Sequence, residues 1–209
     1  MSPANPNSRL EAFSDGVFAI ALTLLIIEIK IPSFESVHAK SELWIAFAKA
    51  WPSWFAFLVS FITILISWVN HSHALELIDK TSAKFTYANG LLLLAIIILP
   101  FPTAAVAEYI QTDYSQPAVT LYCAVALLNN IAWLVIWHSF FYPQSLYKSG
   151  ITLQQIKNNS SYTKIGFGLY SFVFVLSFWF PITAFTLIGL SYIAWLILGI
   201  SIKEEKRGN

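Results

Sequence analysis

The stretch Arg9-Leu-Glu-Ala-Phe13-Ser14-Asp15-Gly16 runs on as VFAIALTLLIIEIKI to Ile31 and stops at Pro32. Taken as a helix, Leu10–Ile31 is about 33 Å long at 1.5 Å per residue, enough to cross a hydrocarbon core of about 30 Å. A cation, a hydroxyl and a carboxylate therefore sit in the first turns of an otherwise apolar membrane span. A carboxylate in that position is costly unless it is paired or faces water, so Asp15 is a candidate functional residue. The simpler reading is that Asp15 reaches interfacial water and anchors the helix.

Five further apolar runs follow, approximately Trp44–Val69, Phe85–Val106, Pro117–Phe141, Ile165–Phe180 and Ala184–Ile202. They predict an all-α membrane protein, a single six-helix transmembrane domain over residues 1–209. Pro100 and Pro102 are expected to kink or end the third span, Pro143 to close the fourth and Pro181 the fifth. Composition agrees: 57% of residues are hydrophobic and 11% charged, against roughly 25% charged in a soluble domain. Net charge is +1, so no nucleic-acid footprint is present. Cys123 is the one cysteine, which excludes an intrachain disulfide and a multi-cysteine metal site. Glu11 and Asp15, with no A-x-A-like cleavage site, make the first run read as a retained helix and not a signal peptide.

Lys and Arg set the expected orientation. Arg9, Lys80, Lys84, Lys148, Lys157, Lys164, Lys203, Lys206 and Arg207 fall at the N-terminus, in alternate loops and in the tail; the other loops carry Lys30 and Lys40. Six spans with both termini cytoplasmic, in the cell membrane, satisfy the rule. Trp44, Trp51, Trp54 and Trp179 then suit an outer aromatic belt. The polar loop Tyr142–Lys164, with Gln144 near its start, has room for a short surface helix.

The second span returns antiparallel, which brings Trp68-Val69-Asn70-His71 to the depth of Arg9–Asp15. A network of Arg9, Ser14, Asp15, Asn70 and His71 would satisfy these groups and lock two helices together. His71 and His73, two apart, face different sides of a helix and make a poor metal pair. Asn129, Asn130, Ser171 and Ser177 are expected to hydrogen-bond between helices. Glu28 and Lys30, at the outer end of the first span, read as a mouth ring or as side chains snorkelling to water. Leu93 reads as lipid-facing.

Ile20, Leu24 and Ile27 recur at i, i+4 and i+7 and form one narrow apolar stripe, with the Thr23 hydroxyl beside it. Asp15 lies about 140° away around the helix. Such a stripe is ordinary packing or lipid contact, or else a constriction that gates by dewetting.

Arg9, Phe13-Ser14-Asp15 and the run Gly16–Ile31 resemble the R-x-x-x-F-S-D opening of the first helix in the transmembrane-protein-175 family of potassium channels. Trp68, Asn70 and His71 resemble the polar end of that family's second helix. The resemblance implies a passive potassium-selective channel. The bacterial form has one six-helix repeat per chain and assembles as a homotetramer, whereas the vertebrate lysosomal form has two repeats and dimerises. It implies a pore lined by the first helix and narrowed by apolar side chains, without a TVGYG filter; no Thr-Val-Gly-Tyr-Gly occurs here. On this reading Ile20, Leu24 and Ile27 constrict the pore, and Thr23 contributes to selectivity. Arg9, Phe13, Ser14, Asp15, Trp68, Asn70 and His71 serve structure and assembly. Potassium permeates, and no cofactor or resident metal is expected. Partners are other copies of the chain and the bilayer.

Two other classes stand against it. A secondary transporter or proton-linked permease usually needs inverted repeats and paired broken helices. A membrane enzyme built on Asp15 with His71 or His73 would lack any G-x-S-x-G, H-E-x-x-H or P-loop pattern. A non-transporting scaffold is the third alternative.

Overall fold

The computed structural model describes residues 7–141 and 147–208 and is almost wholly helical. The expected stop at Pro143, Gln144 and the first residues of the polar Tyr142–Lys164 loop, and the polar leader before Asn7, lie outside the described residues. Among the described residues eight α-helices follow in order: α1 Ser8–Leu24, α2 Lys40–Lys49, α3 Trp51–Glu76, α4 Ala83–Ile98, α5 Pro100–Tyr109, α6 Ser115–Phe140, α7 Leu153–Leu176 and α8 Pro181–Gly208.

Proline sets several of these boundaries. The α4–α5 pair is a rod interrupted at Leu99, where Pro100 and Pro102 enter, since proline lacks the N–H that would continue the ladder. Pro52 sits in the first turn of α3 and Pro181 starts α8, positions whose N–H groups have no intrahelical partner anyway. The second apolar run is not one helix. It breaks at Ala50, so Trp44 belongs to the separate helix α2, none of whose residues is buried. Local side chains start other helices. Ser82 accepts from Phe85 N–H at α4, and Thr152 forms a reciprocal capping box with Gln155 at α7. That box extends α7 back through residues expected to be loop, so the surface helix foreseen there is the first half of a 24-residue helix.

Among the described residues, five helical stretches are long and apolar enough to cross a membrane: Ser8–Glu28, Trp51–Glu76, Ala83–Tyr109, Ser115–Phe140 and Pro181–Leu198. This is a multi-pass membrane protein. The expected fifth span lies in α7, whose Leu153–Lys164 half is polar; its apolar half begins at Ile165.

Helix α6 forms the centre, packing against α4, α5, α7 and α8. Tyr122 of α6 is fully buried and meets Phe185 of α8 edge-on at 5.1 Å; Phe85 of α4 stacks on Phe140 of α6 at 5.3 Å. Leu93, expected to face lipid, is instead buried in this core at 4% exposure, and its neighbour Leu94 points outward at 48%. Polar side chains also join helices inside the bundle. The Ser60 hydroxyl lies 2.6 Å from that of Thr103 and 3.0 Å from that of Tyr122. Asn129 bonds Ser67, and Ser177 donates to Thr120 at 2.9 Å, as expected of Asn129 and Ser177. Asn130 departs from the expectation: its buried Oδ1 has no partner, and its Nδ2 fills the space that a Cβ on residue 166 would need.

One end of the bundle is tied by the N-terminus. The buried Asn7 side chain donates to the carbonyls of Ile78 and Asp79 and accepts from Thr81 N–H at 2.9 Å. Lys148 N–H donates to Leu77 O in the same place. The start of α1, the α3–α4 loop and the α6–α7 loop thus share one end, as their common Lys/Arg content anticipates.

Candidate functional site on the first helix

Helix α1 meets α3 and α4 through Ser14, Phe18 and Ala21, its buried residues, with Leu25 continuing that face just beyond it. Their spacing of four, three and four marks one side of a helix. Only 22% of the apolar stretch of α1 is enclosed by its own chain, against 50% in the α4–α5 rod and in α6. The remaining surface carries the predicted stripe: Ile20 is 61% exposed, Leu24 44% and Ile27 69%.

The stripe is straighter at its outer end than α-helical spacing anticipates. After Leu24 the chain tightens into a 3-10 turn, Leu25–Glu28, and becomes extended at Ile29. The β-branched Ile26, Ile27, Ile29 and Ile31, with Pro32 behind them, disfavour further α-helix. In a 3-10 turn, residues three apart eclipse one another, so Ile27 sits directly above Leu24. Thr23 is exposed beside them, its hydroxyl turned back to the carbonyls of Ala19 (3.1 Å) and Ile20 (2.9 Å). The hydrogen is used there, which leaves oxygen lone pairs facing outward. Phe13, seven residues before Ile20, lies on the same face at 63% exposure. Sequence reasoning placed it with the polar motif; the seven-residue spacing was the available signal.

The polar network also differs from expectation. Ser14 and His71 are both fully buried, and the residue joining them is Asn89 of α4. Asn89 Nδ2 donates to Ser14 Oγ at 2.9 Å, and its Oδ1 lies 2.8 Å from His71 Nε2. With the amide so placed, His71 Nε2 carries the proton, and its buried Nδ1 has no partner. Phe18 packs on the imidazole at 5.6 Å. Three helices are locked, not two, and Asn89 was missed because it is a lone polar residue in the third apolar run. Asp15 is exposed and accepts from Trp68 Nε1 at 2.9 Å. Arg9 and Asn70 do not join the network: both side chains lie on the exposed surface of the chain. The helix turn that buries Ser14 and His71 points them outward.

At the other end of α1, Lys30 Nζ contacts Glu108 Oε2 of α5 at 2.7 Å. The hydrogen bond to Glu108, and then its charge, hold the Lys30 ammonium above its ordinary range. Lys30 is therefore neither a bare mouth charge nor a free snorkelling chain.

Residues 9–100, which include α1, α3, α4 and the whole of this site except Glu108, match the family described as the endosomal/lysosomal potassium channel TMEM175. A potassium channel of Chamaesiphon minutus is 39% identical over 170 residues, covering 81% of this chain and 83% of that one. The chain belongs to the TMEM175 family. A crystal structure described as a lysosomal potassium-selective channel TMEM175 homolog from Chamaesiphon minutus superimposes with a TM-score of 0.82 at 34% identity, covering 91% of this chain and 96% of that one. The TMEM175 of Gallus gallus, named an endosomal/lysosomal proton channel, is 30% identical over 135 residues, 62% of this chain but 27% of its own length. TMEM175 members are channels, and the arrangement of α1 is consistent with that: an outward apolar row, one hydroxyl beside it, and a buried polar clamp behind.

Proposed function

We propose that this chain is one subunit of a passive potassium-selective channel, a homotetramer whose α1 helices surround the pore. The observation that carries this reading is the outward row Ile20, Leu24 and Ile27 on a membrane helix that its own chain encloses to only 22%, in a chain whose bacterial relative is a named potassium channel. One subunit presents one copy of the row, and a closed ring of identical rows is the economical way to enclose an axis. The chain is then a single six-span domain in the cell membrane with both termini cytoplasmic, α7 supplying the fifth span.

An aliphatic ring offers no oxygens to replace an ion's hydration shell. It either widens to pass a hydrated or partly hydrated ion, or dewets and blocks. Thr23 is the nearest side chain with oxygen to offer and takes a modest share of the selectivity. Phe13 extends the same face toward the cytoplasm. Ser14, Asn89 and His71 hold α1 from behind, while Arg9, Asp15, Trp68 and Asn70 serve assembly. Potassium is the permeant ion, and the mechanism calls for no cofactor.

A proton-permeable or proton-linked pathway is the second reading, favoured by the name of the vertebrate relatives. Planar-bilayer recording from the purified protein under a potassium gradient separates the two. Reversal near the potassium equilibrium potential supports the first. Reversal that follows the proton gradient, or electroneutral exchange without current, contradicts it.

A further inference from the structure

We propose that the Lys30–Glu108 ion pair is a latch that fixes the outer end of the pore helix to α5 and so sets how long the pore stays conducting. This rests on the α1 pore reading and adds to it the part that holds the constriction in place.

Leu25 is the last residue of α1 and its 3-10 turn to be fully buried. Beyond it Ile26, Ile27 and Ile31 are 49%, 69% and 83% exposed, and the backbone turns extended at Ile29. The 3-10 turn itself still touches α3 and α5, with Glu28 and Ile29 half-buried, and side-chain packing thins out beyond it, where Lys30 and Ile31 are exposed. The 3-10 turn ends the helix, and it is the place where a change of geometry has leverage, because a return to α geometry would swing each later residue around the axis. The side-chain hydrogen bond that brings the segment back is Lys30 Nζ to Glu108 Oε2, 2.7 Å long across 78 positions of sequence.

Glu108 stands on a fixed arm. Two turns of α5 are anchored by Thr103 and Val106, 1% and 0% exposed, and Thr103 is hydrogen-bonded to Ser60 of α3. One partner is thus fixed and the other lies just past the 3-10 turn, the arrangement of a latch. Both side chains are largely exposed in the chain, 76% and 50%. An exposed pair contributes little to folding, so breaking it leaves the bundle intact while freeing the outer segment.

The test is single-channel recording in planar bilayers from K30Q, E108Q, the double variant K30Q/E108Q and the charge-exchanged K30E/E108K, with I20N recorded alongside. Each single variant shortens the mean open time about two- to fivefold, the range one exposed pair supports per subunit. The double neutral variant is no worse than either single, and the exchanged pair restores the open time. Unchanged open times, or effects that add in the double variant, overturn the latch. So does a change confined to unitary current that raised external salt abolishes, because the pair would then act only through surface charge. If I20N alters current while the pair variants do nothing, the latch alone fails. If I20N is also silent, the pore reading fails and takes the latch with it.

Discussion

Asn89 Oδ1 lies 2.8 Å from His71 Nε2 while the amide nitrogen of the same side chain donates to Ser14 Oγ at 2.9 Å. One short side chain thereby ties α4 to both α3 and α1 through groups that are all buried. Replacing Asn89 with Ala strands the Ser14 hydroxyl and the imidazole together. The expected cost is about 1–3 kcal/mol, the penalty of leaving a buried polar group unsatisfied. It should appear as a lowered midpoint in thermal unfolding of the detergent-solubilised protein. An unchanged midpoint would mean that the clamp does not hold α1.

The α6–α7 seam has a tighter constraint. A Cβ on Gly166 would stand 2.6 Å from Asn130 Nδ2, whereas one on Gly168 meets nothing within 4 Å. Gly166→Ala must displace Asn130 and is expected to destabilise by about 1 kcal/mol. Gly168→Ala should be neutral or slightly stabilising, since alanine favours helix over glycine. Equal unfolding midpoints for the two variants would show that the seam is loose.

The sequence carried the membrane class, the break that Pro100 and Pro102 make in the third run and the outward stripe, because long apolar runs, missing N–H groups and i, i+4, i+7 spacing are local signals. It missed the ends of α1 and α7, which fall at Leu24 and Leu176, before Pro32 and Pro181, and Pro181 starts α8 instead of closing α7. It did not carry Asn89 as the centre of the clamp or Glu108 as the partner of Lys30. Those contacts span 75, 18 and 78 positions, and no periodicity reports which residue faces which across a bundle. Leu93 shows the same limit: in a run apolar on every side, burial of Leu93 and exposure of Leu94 are decided by neighbouring helices. The break between α2 and α3 was hidden for the opposite reason, since proline two residues into a helix looks the same whether the preceding chain is helical or not.

Asp15 faces outward with Trp68, which fits a role between subunits. If the chain assembles as proposed, Asp15→Ala should remove the acceptor of the Trp68 indole and shift the purified protein from tetramer to smaller species on size exclusion. A stable tetramer with altered ion preference would instead place Asp15 in the ion path.

Thr23→Ala removes the side-chain oxygen nearest the proposed constriction, while the hydroxyl's own partners are the backbone carbonyls of Ala19 and Ile20. Assembly should be unaffected. The reversal potential under bi-ionic potassium and sodium should move toward zero, reflecting a reduced preference for potassium. An unmoved reversal potential would assign selectivity to other atoms.

On the proposed reading the row on α1 is the narrowest part of the pore, with Ile20 innermost toward the cytoplasm. Single-channel conductance of Ile20→Asn measures this most directly, with Leu94→Asn as an outward-facing control off the row. An amide at Ile20 keeps the constriction wet, so unitary conductance should rise and discrimination against sodium should fall, whereas Leu94→Asn changes neither. If Ile20→Asn leaves both conductance and selectivity as they were, the row is ordinary helix surface and the pore lies elsewhere.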